Sequence, residues 1–192
     1  EAIYKNFKII DNPEISFEAN PEDLTLDYLS NLKNYTPVNR LSIGIQSFND
    51  RDLLLLNRRH NSQTAENSLI NSFKTGFSNV SADIIFAIPG SGIEVLEKNI
   101  YKLLDYPVNH ISTYGLTVEK STALANFINK GKVQNTDEED FISQYIFINS
   151  TLGKSDFIHY ELSNYARNNY FSIHNSNYWK QKNYLGIGPS AH

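Results

Sequence analysis

The sequence predicts an α/β fold in which parallel strands are joined by crossover helices, and three observations carry the prediction. Strand-like and helical segments alternate from residue 15 to residue 116. The polar residues Glu18, Gln46, Asp83 and Tyr114 belong to four successive strands, about one βα unit apart. The third strand, VSADIIFAI over 80–88, is nearly all apolar except for Asp83, as a strand buried on both faces requires. A barrel and a doubly wound sheet both satisfy this rhythm. Right-handed crossovers put the four polar residues on one rim, and ligands of such folds bind at the carboxyl ends of the strands.

Residues 15–19 form the first strand, stopped by the Asn20-Pro21 turn, after which Leu24, Tyr28 and Leu32 recur at helical spacing over 22–32. The second strand, 41–46, alternates Leu41, Ile43 and Ile45 with Ser42 and Gly44 and delivers Gln46 where it ends. Asn49-Asp50 opens a helix over 50–56, and a further helix over 62–75 is closed by Gly76 as a C-cap. Pro89-Gly90 breaks the third strand. Residues 93–104 are helical through Val95, Leu96, Ile100 and Leu103, and HISTYGL over 110–116 is the fourth strand. The pattern then changes, and a boundary near Lys120 divides 1–119 from 120–192. Residues 122–130 and 138–152 read as helices, the second opened by Thr136 with Glu139 at capping-box spacing. The final stretch carries the only Trp, four further Tyr or Phe and two His, a composition that calls for a flat partner or a core.

With 192 residues, 40% hydrophobic and 12% aromatic, the chain suits one globular domain or a domain with an appendage, and disorder is not the reading. Its 17 basic residues against 21 acids leave a net charge of −4 and no basic footprint for nucleic acid. The longest apolar runs, 53–56 and 84–88, fall far short of a membrane span, and no signal-type segment opens the sequence, so a cytoplasmic protein is expected. The absence of cysteine rules out disulfides, thiolate catalysis and cysteine-held metal or iron–sulfur clusters within these residues. The sequence starts at Glu1 and has no Met, so it is expected to be a piece of something longer.

Two polar residues ask for partners. Gln46 is either a ligand contact at a strand end or an amide satisfying a loop. Asp83, set in an apolar strand, costs several kcal/mol unless it is paired, roughly the penalty of an unpaired buried charge. A ligand, a neighbouring amide or an Arg would each serve.

Eight stretches, FEANPEDLT (17–25), NRLSIGIQSFND (39–50), LNRRHN (56–61), SADIIFAIPG (81–90), HISTYGLTVE (110–119), HYELSNYAR (159–167), HNSNYW (174–179) and YLGIGPSAH (184–192), cover essentially the whole chain in order. Together they resemble the oxygen-independent coproporphyrinogen oxidase group of radical SAM proteins, and within it the HemW branch of haem chaperones. That resemblance implies a partial, open (β/α)6 TIM-like barrel, 1–119, with a C-terminal α+β extension, 120–192, that opens an accessory region. S-adenosylmethionine (SAM) would lie across the strand ends. By the same resemblance Glu18 is similar to the carboxylate that holds the methionine amino group or the ribose. Gln46 and Arg58 are similar to the amide and guanidinium that meet ribose and carboxylate, and Asp83 to a ribose-binding carboxylate. The charges agree with a zwitterionic sulfonium ligand, which needs an acid for its ammonium and a fork for its carboxylate. By spacing alone, Arg58 reads as an exposed charge at a helix end.

The group's three-cysteine motif for a [4Fe–4S] cluster and its Gly-rich SAM segment are absent. Both precede FEANP in relatives, so truncation is the expected reason, and this piece alone is not expected to cleave SAM.

HNSNYW and YLGIGPSAH resemble the chaperone branch, which binds haem and passes it to respiratory haem enzymes; the other branch oxidatively decarboxylates porphyrinogen propionates. On a helix His174 and Tyr178 share a face with Trp179 beside them, offering an axial imidazole and flat aromatic surfaces to haem, with Lys180 and Lys182 toward its propionates. The same residues would also serve to lock the tail onto the barrel. A non-catalytic binding module and a phosphate-binding barrel enzyme are the readings from other classes; Pro89-Gly90-Ser91-Gly92 suits a turn as well as a phosphate. An open barrel exposes a sheet edge, a route to homodimerisation.

Overall fold

A computed structural model describes residues 2–120 and 122–188. After a short helix α1 (Ala2–Asn6), the chain runs through β1 (Ser16–Ala19), a 3-10 turn (Pro21–Asp23), α2 (Leu26–Tyr35), β2 (Arg40–Gln46), α3 (Asp50–Leu55), α4 (Ser62–Lys74), β3 (Val80–Phe86), α5 (Ile93–Leu104) and β4 (His110–Gly115). Next come α6 (Ala123–Asn129), α7 (Glu138–Lys154), β5 (Ile158–Glu161), β6 (Asn164–Ala166) and α8 (Ile173–Trp179). The strands form one open, mostly parallel sheet in the order β1-β2-β3-β4-β6-β5, in which the first four are parallel and β6 pairs antiparallel with both β4 and β5. This is the expected α/β class. Pro189–His192, the end of the YLGIGPSAH stretch, lie outside the described residues.

The alternation of side chains along each strand separates the two faces of the sheet. Phe17, Leu41, Ile43, Ile45, Val80, Ala82, Ile84 and Ile111 point to one face and join one hydrophobic core with Leu29, Leu69, Ile100 and Ile148 of the covering helices. Each fully buried Leu or Ile there contributes about 1.5–3 kcal/mol. The register pairs of the other face are Ser16 with Arg40, Glu18 with Ser42, Ser42 with Ser81, Ser81 with His110, and Asp83 with Ser112. That face is polar, buried near the amino ends of the strands at Arg40, Ser81 and His110, and exposed toward the carboxyl ends at Glu18 and Tyr114.

Three expectations need correction. The helix expected over 22–32 is split, because Thr25 caps a new helix by accepting a hydrogen bond from Tyr28 N at 3.2 Å, leaving Pro21–Asp23 as a separate turn. The third strand stops at Phe86, since Ala87 adopts φ +57°. Helix α7 is opened by Asp137, whose carboxylate accepts from Asp140 N at 2.8 Å, while the Thr136 hydroxyl donates to the Ala87 carbonyl at 2.9 Å. An acid beside the positive helix terminus is the better cap. In addition, His159-Tyr160-Glu161 proves to be part of a strand that the sequence reading did not assign.

Candidate cofactor site

Gln46 ends β2 in a strained turn. Its φ is +65°, the Ser47 N–H donates to the Ile45 carbonyl at 2.8 Å, and the β2–β3 register shifts between Ile43 and Gln46. Such a conformation is costly for a residue with a side chain and persists only when its surroundings hold it. His60 is one of the restraints: it is buried, its Nε2–H donates to the Ile45 carbonyl at 3.1 Å, and its Nδ1 lies 3.2 Å from Glu22 Oε2. Gly44 makes room for the result. A β-carbon on Gly44 would point to the polar face and meet Gln46 Nε2, so the Gln46 amide lies over that face.

Asp83 is the centre of the polar face. Burial pushes its carboxyl up to about 6; the Ser112 hydroxyl and the Arg40 guanidinium pull it down, Glu18 pushes it up, and Arg58 pulls it down. Glu18, Asp83 and Arg58 therefore share one electrostatic neighbourhood, with Arg40 as a member that the sequence reading left out. Two atoms there lack partners among the described residues. Asp83 Oδ1 and Arg40 Nε are both buried without a hydrogen bond, which is rare for buried polar groups. Among the described residues the geometry thus leaves a carboxylate acceptor and a guanidinium donor without a partner. These residues suit a nucleoside bearing an ammonium and a carboxylate.

Deeper in the same face, His110 is fully buried between Ser81 Oγ (2.7 Å from Nδ1) and the Tyr160 hydroxyl (2.7 Å from Nε2). Burial and the nearby Arg40 push its imidazole down to about 3, so it is neutral. Tyr160, whose phenol burial pushes up to about 12, faces Ser172 and Asn175 at the start of α8. Glu14, just before β1, holds the same helix, its two carboxylate oxygens accepting from Ile173 N at 3.0 Å and His174 N at 2.9 Å.

Helix α8 brings His174 and Tyr178 together edge to face, ring centroids 5.1 Å apart, and Tyr184 closes the group at 4.9 Å from each. Among the described residues no hydrogen bond reaches either His174 ring nitrogen. Trp179 points elsewhere: it is 68% exposed, and its indole N–H donates to Glu161 Oε2 at 3.2 Å. Lys180 and Lys182 are exposed. No group of three or more His, Cys, Asp or Glu suited to a metal occurs among the described residues, and a chain without cysteine offers no thiolates to an iron–sulfur cluster.

The family profile described as the Radical SAM superfamily matches residues 1–112, more than half of the chain. The chain belongs to the radical SAM superfamily. Among curated relatives, it is 38% identical over 194 residues to "Radical S-adenosyl methionine domain-containing protein 1, mitochondrial" of Danio rerio, covering 100% of this chain and 43% of that protein. It is 35% identical over 182 residues to "Heme chaperone HemW" of Bacillus subtilis, covering 95% and 48%. This radical SAM chain thus spans about half the length of the curated relatives it matches. In fold it is similar to coproporphyrinogen III oxidase (HemN) from Escherichia coli, described as a radical SAM enzyme, with a TM-score of 0.73 at 20% identity over 93% of this chain and 40% of that one. No helix among the described residues is long and apolar enough to cross a membrane.

The sequence reading missed Arg40, His60 and His110. Arg40 had a signal in period two, since it alternates in phase with Ser42 and Gly44 of its own strand. His60 lay inside the LNRRHN stretch without a role. His110 had none, because its partners Ser81 and Tyr160 are distant in sequence.

Proposed function

We propose that the polar face of the sheet binds SAM, and that the protein to which this chain belongs is a HemW-like haem carrier. The observation that carries the SAM reading is Asp83, a buried carboxylate with one oxygen unpartnered among the described residues, in the field of Glu18, Arg40 and Arg58. Asp83 accepts from the ribose hydroxyls, Glu18 meets the ammonium, and Arg58 with the Gln46 amide meets carboxylate and ribose. When bound beside a [4Fe–4S] cluster, SAM supplies an adenosyl radical. The cluster's thiolates are not in this chain, so the residues described here bind and orient the cofactor and take no part in cleaving it.

The haem reading rests on α8 and on the relatives named haem chaperones. His174 offers an imidazole within an aromatic group, its ring nitrogens without a hydrogen bond from the described residues, suited to the iron and the flat face of a porphyrin. In this reading residues 1–119 are the barrel part, residues 120–192 begin an accessory region, the protein is cytoplasmic, and respiratory haem enzymes receive the cargo.

The experiment is a pair of titrations. Calorimetry with SAM should give a Kd that rises at least tenfold in Asp83→Asn, as loss of a charge-assisted hydrogen bond requires. Haem titration should shift the absorbance spectrum in the wild type and not in His174→Ala. Unchanged SAM binding in Asp83→Asn rejects the first reading, and a haem-dependent spectral shift in His174→Ala equal to that of the wild type rejects the second. If the protein holding its cluster consumes SAM while decarboxylating a porphyrinogen, the oxidase branch replaces the carrier.

A further inference from the structure

The turn at Gln46 is held by residues that no part of the cofactor reading uses. Asn99 lies on the buried side of α5, among Leu96, Ile100 and Leu103, where an apolar residue would pack without needing polar partners. Both ends of its amide are spent on the segment just after Gln46. Its Nδ2 donates to Ser47 Oγ at 2.9 Å, and its Oδ1 accepts from Phe48 N at 2.9 Å. Ser47 is itself fully buried; its hydroxyl donates to Asp52 Oδ2 at 2.8 Å and accepts from Asn49 N at 3.0 Å. Ser91, from the loop after β3, donates to the same Asp52 oxygen at 3.3 Å. On the other flank, His60 restrains the Ile45 carbonyl and is backed by Glu22.

A left-handed Gln is disfavoured against Gly at the same place. The chain nevertheless keeps a side chain there and surrounds it with buried polar groups, each of which is costly unless bonded. Strain fixed in this way at a strand end serves to aim a side chain. We propose that Asn99 and His60 are positioning residues for Gln46: they clamp the residues before and after it so that its amide lies on the polar face. This rests on the reading that Gln46 contacts SAM. Neither residue touches the ligand. Their contribution passes through the direction in which Gln46 points, and it couples α5 and the loop before α4 to ligand affinity.

The test combines SAM calorimetry with amide hydrogen exchange on the full chain. In Asn99→Ala the Phe48 amide loses its acceptor and should exchange at least tenfold faster, and the SAM Kd should rise about tenfold. Gln46→Ala should raise the Kd by a similar factor, and the double variant should bind no worse than Gln46→Ala alone, because both remove one contact. His60→Ala should weaken binding as well, whereas His60→Gln, whose amide still donates to the Ile45 carbonyl, should recover most of the loss. This pair also carries the test if Asn99→Ala does not fold. Additive losses in the double variant, unchanged Phe48 exchange in Asn99→Ala, or equal losses in the two His60 variants would overturn the assignment. If Gln46→Ala binds SAM as the wild type does, the cofactor reading fails instead, and Phe48 exchange still decides whether the clamp exists.

Discussion

A β-carbon added to Gly44 would stand 2.7 Å from Nε2 of Gln46, so the smallness of one residue fixes where the amide of the other lies. Gly44→Ala is therefore expected to push that amide off the polar face. The atom displaced is the end of a flexible side chain, so the thermal midpoint should move little while the SAM Kd rises roughly tenfold. Calorimetry beside a thermal melt reads both, and unchanged affinity would show that the amide is not a contact.

Gln46→Gly should act in the opposite sense on stability. Removing the side chain relieves the positive φ, and the folded state gains up to about 1 kcal/mol before the greater freedom of the unfolded glycine offsets part of it. Urea unfolding should show a higher midpoint together with weaker SAM binding.

Asp83 trades stability for binding. Its folded carboxyl sits near 6 against an ordinary 3.8, so its contribution is present in acid and is lost as pH rises through 6. Asp83→Asn should be more stable than the wild type at pH 8, by about 2 kcal/mol or less, and indistinguishable from it below pH 4. Urea midpoints at the two pH values test this, and a variant less stable at pH 8 would refute it.

His110 has the contrary slope. Its folded pKa lies near 3 against an ordinary 6.5, so the unfolded chain takes up the proton first and stability falls as pH drops below 6.5. Between about pH 4 and 6 the Asp83 and His110 slopes offset each other in the wild type. In Asp83→Asn only the His110 slope is left, and the midpoint should fall visibly on acidification across that interval. Parallel profiles for the two proteins would show that one of the assignments is mistaken.

The two aromatic candidates on α8 should not be equivalent. His174→Ala should remove the haem-dependent absorbance change, whereas Trp179→Ala should leave most of it, because the Trp179 indole is turned toward Glu161. Equal loss in both would mean that haem lies across Trp179.

The rim of polar residues was legible in the sequence because parallel strands repeat at a steady interval and apolar alternation marks which side is buried. Leu41, Ile43 and Ile45 alternate with the small Ser42 and Gly44 as in a buried strand, and the structure puts all three in the core. The turn that directs Gln46 was not legible. It depends on His60 and Asn99, whose partners lie 15 and 51 residues away, and no local pattern encodes such pairings. The β5–β6 hairpin escaped for a related reason: three- and four-residue strands leave too little room for a period to show. Thr136 reads as a cap because a hydroxyl and an acid stand at the right spacing, but it is the Asp137 carboxylate that accepts from the first-turn amide of Asp140.

The bond between Glu14 and the His174 amide spans 160 residues. On the ribosome the carboxylate emerges 160 residues before its partner and must wait, solvated, until the sequence between them has been made. The first strand can therefore pair with the second long before the helix that Glu14 holds exists, and the contact that ties the two together forms only after the intervening strands are in place.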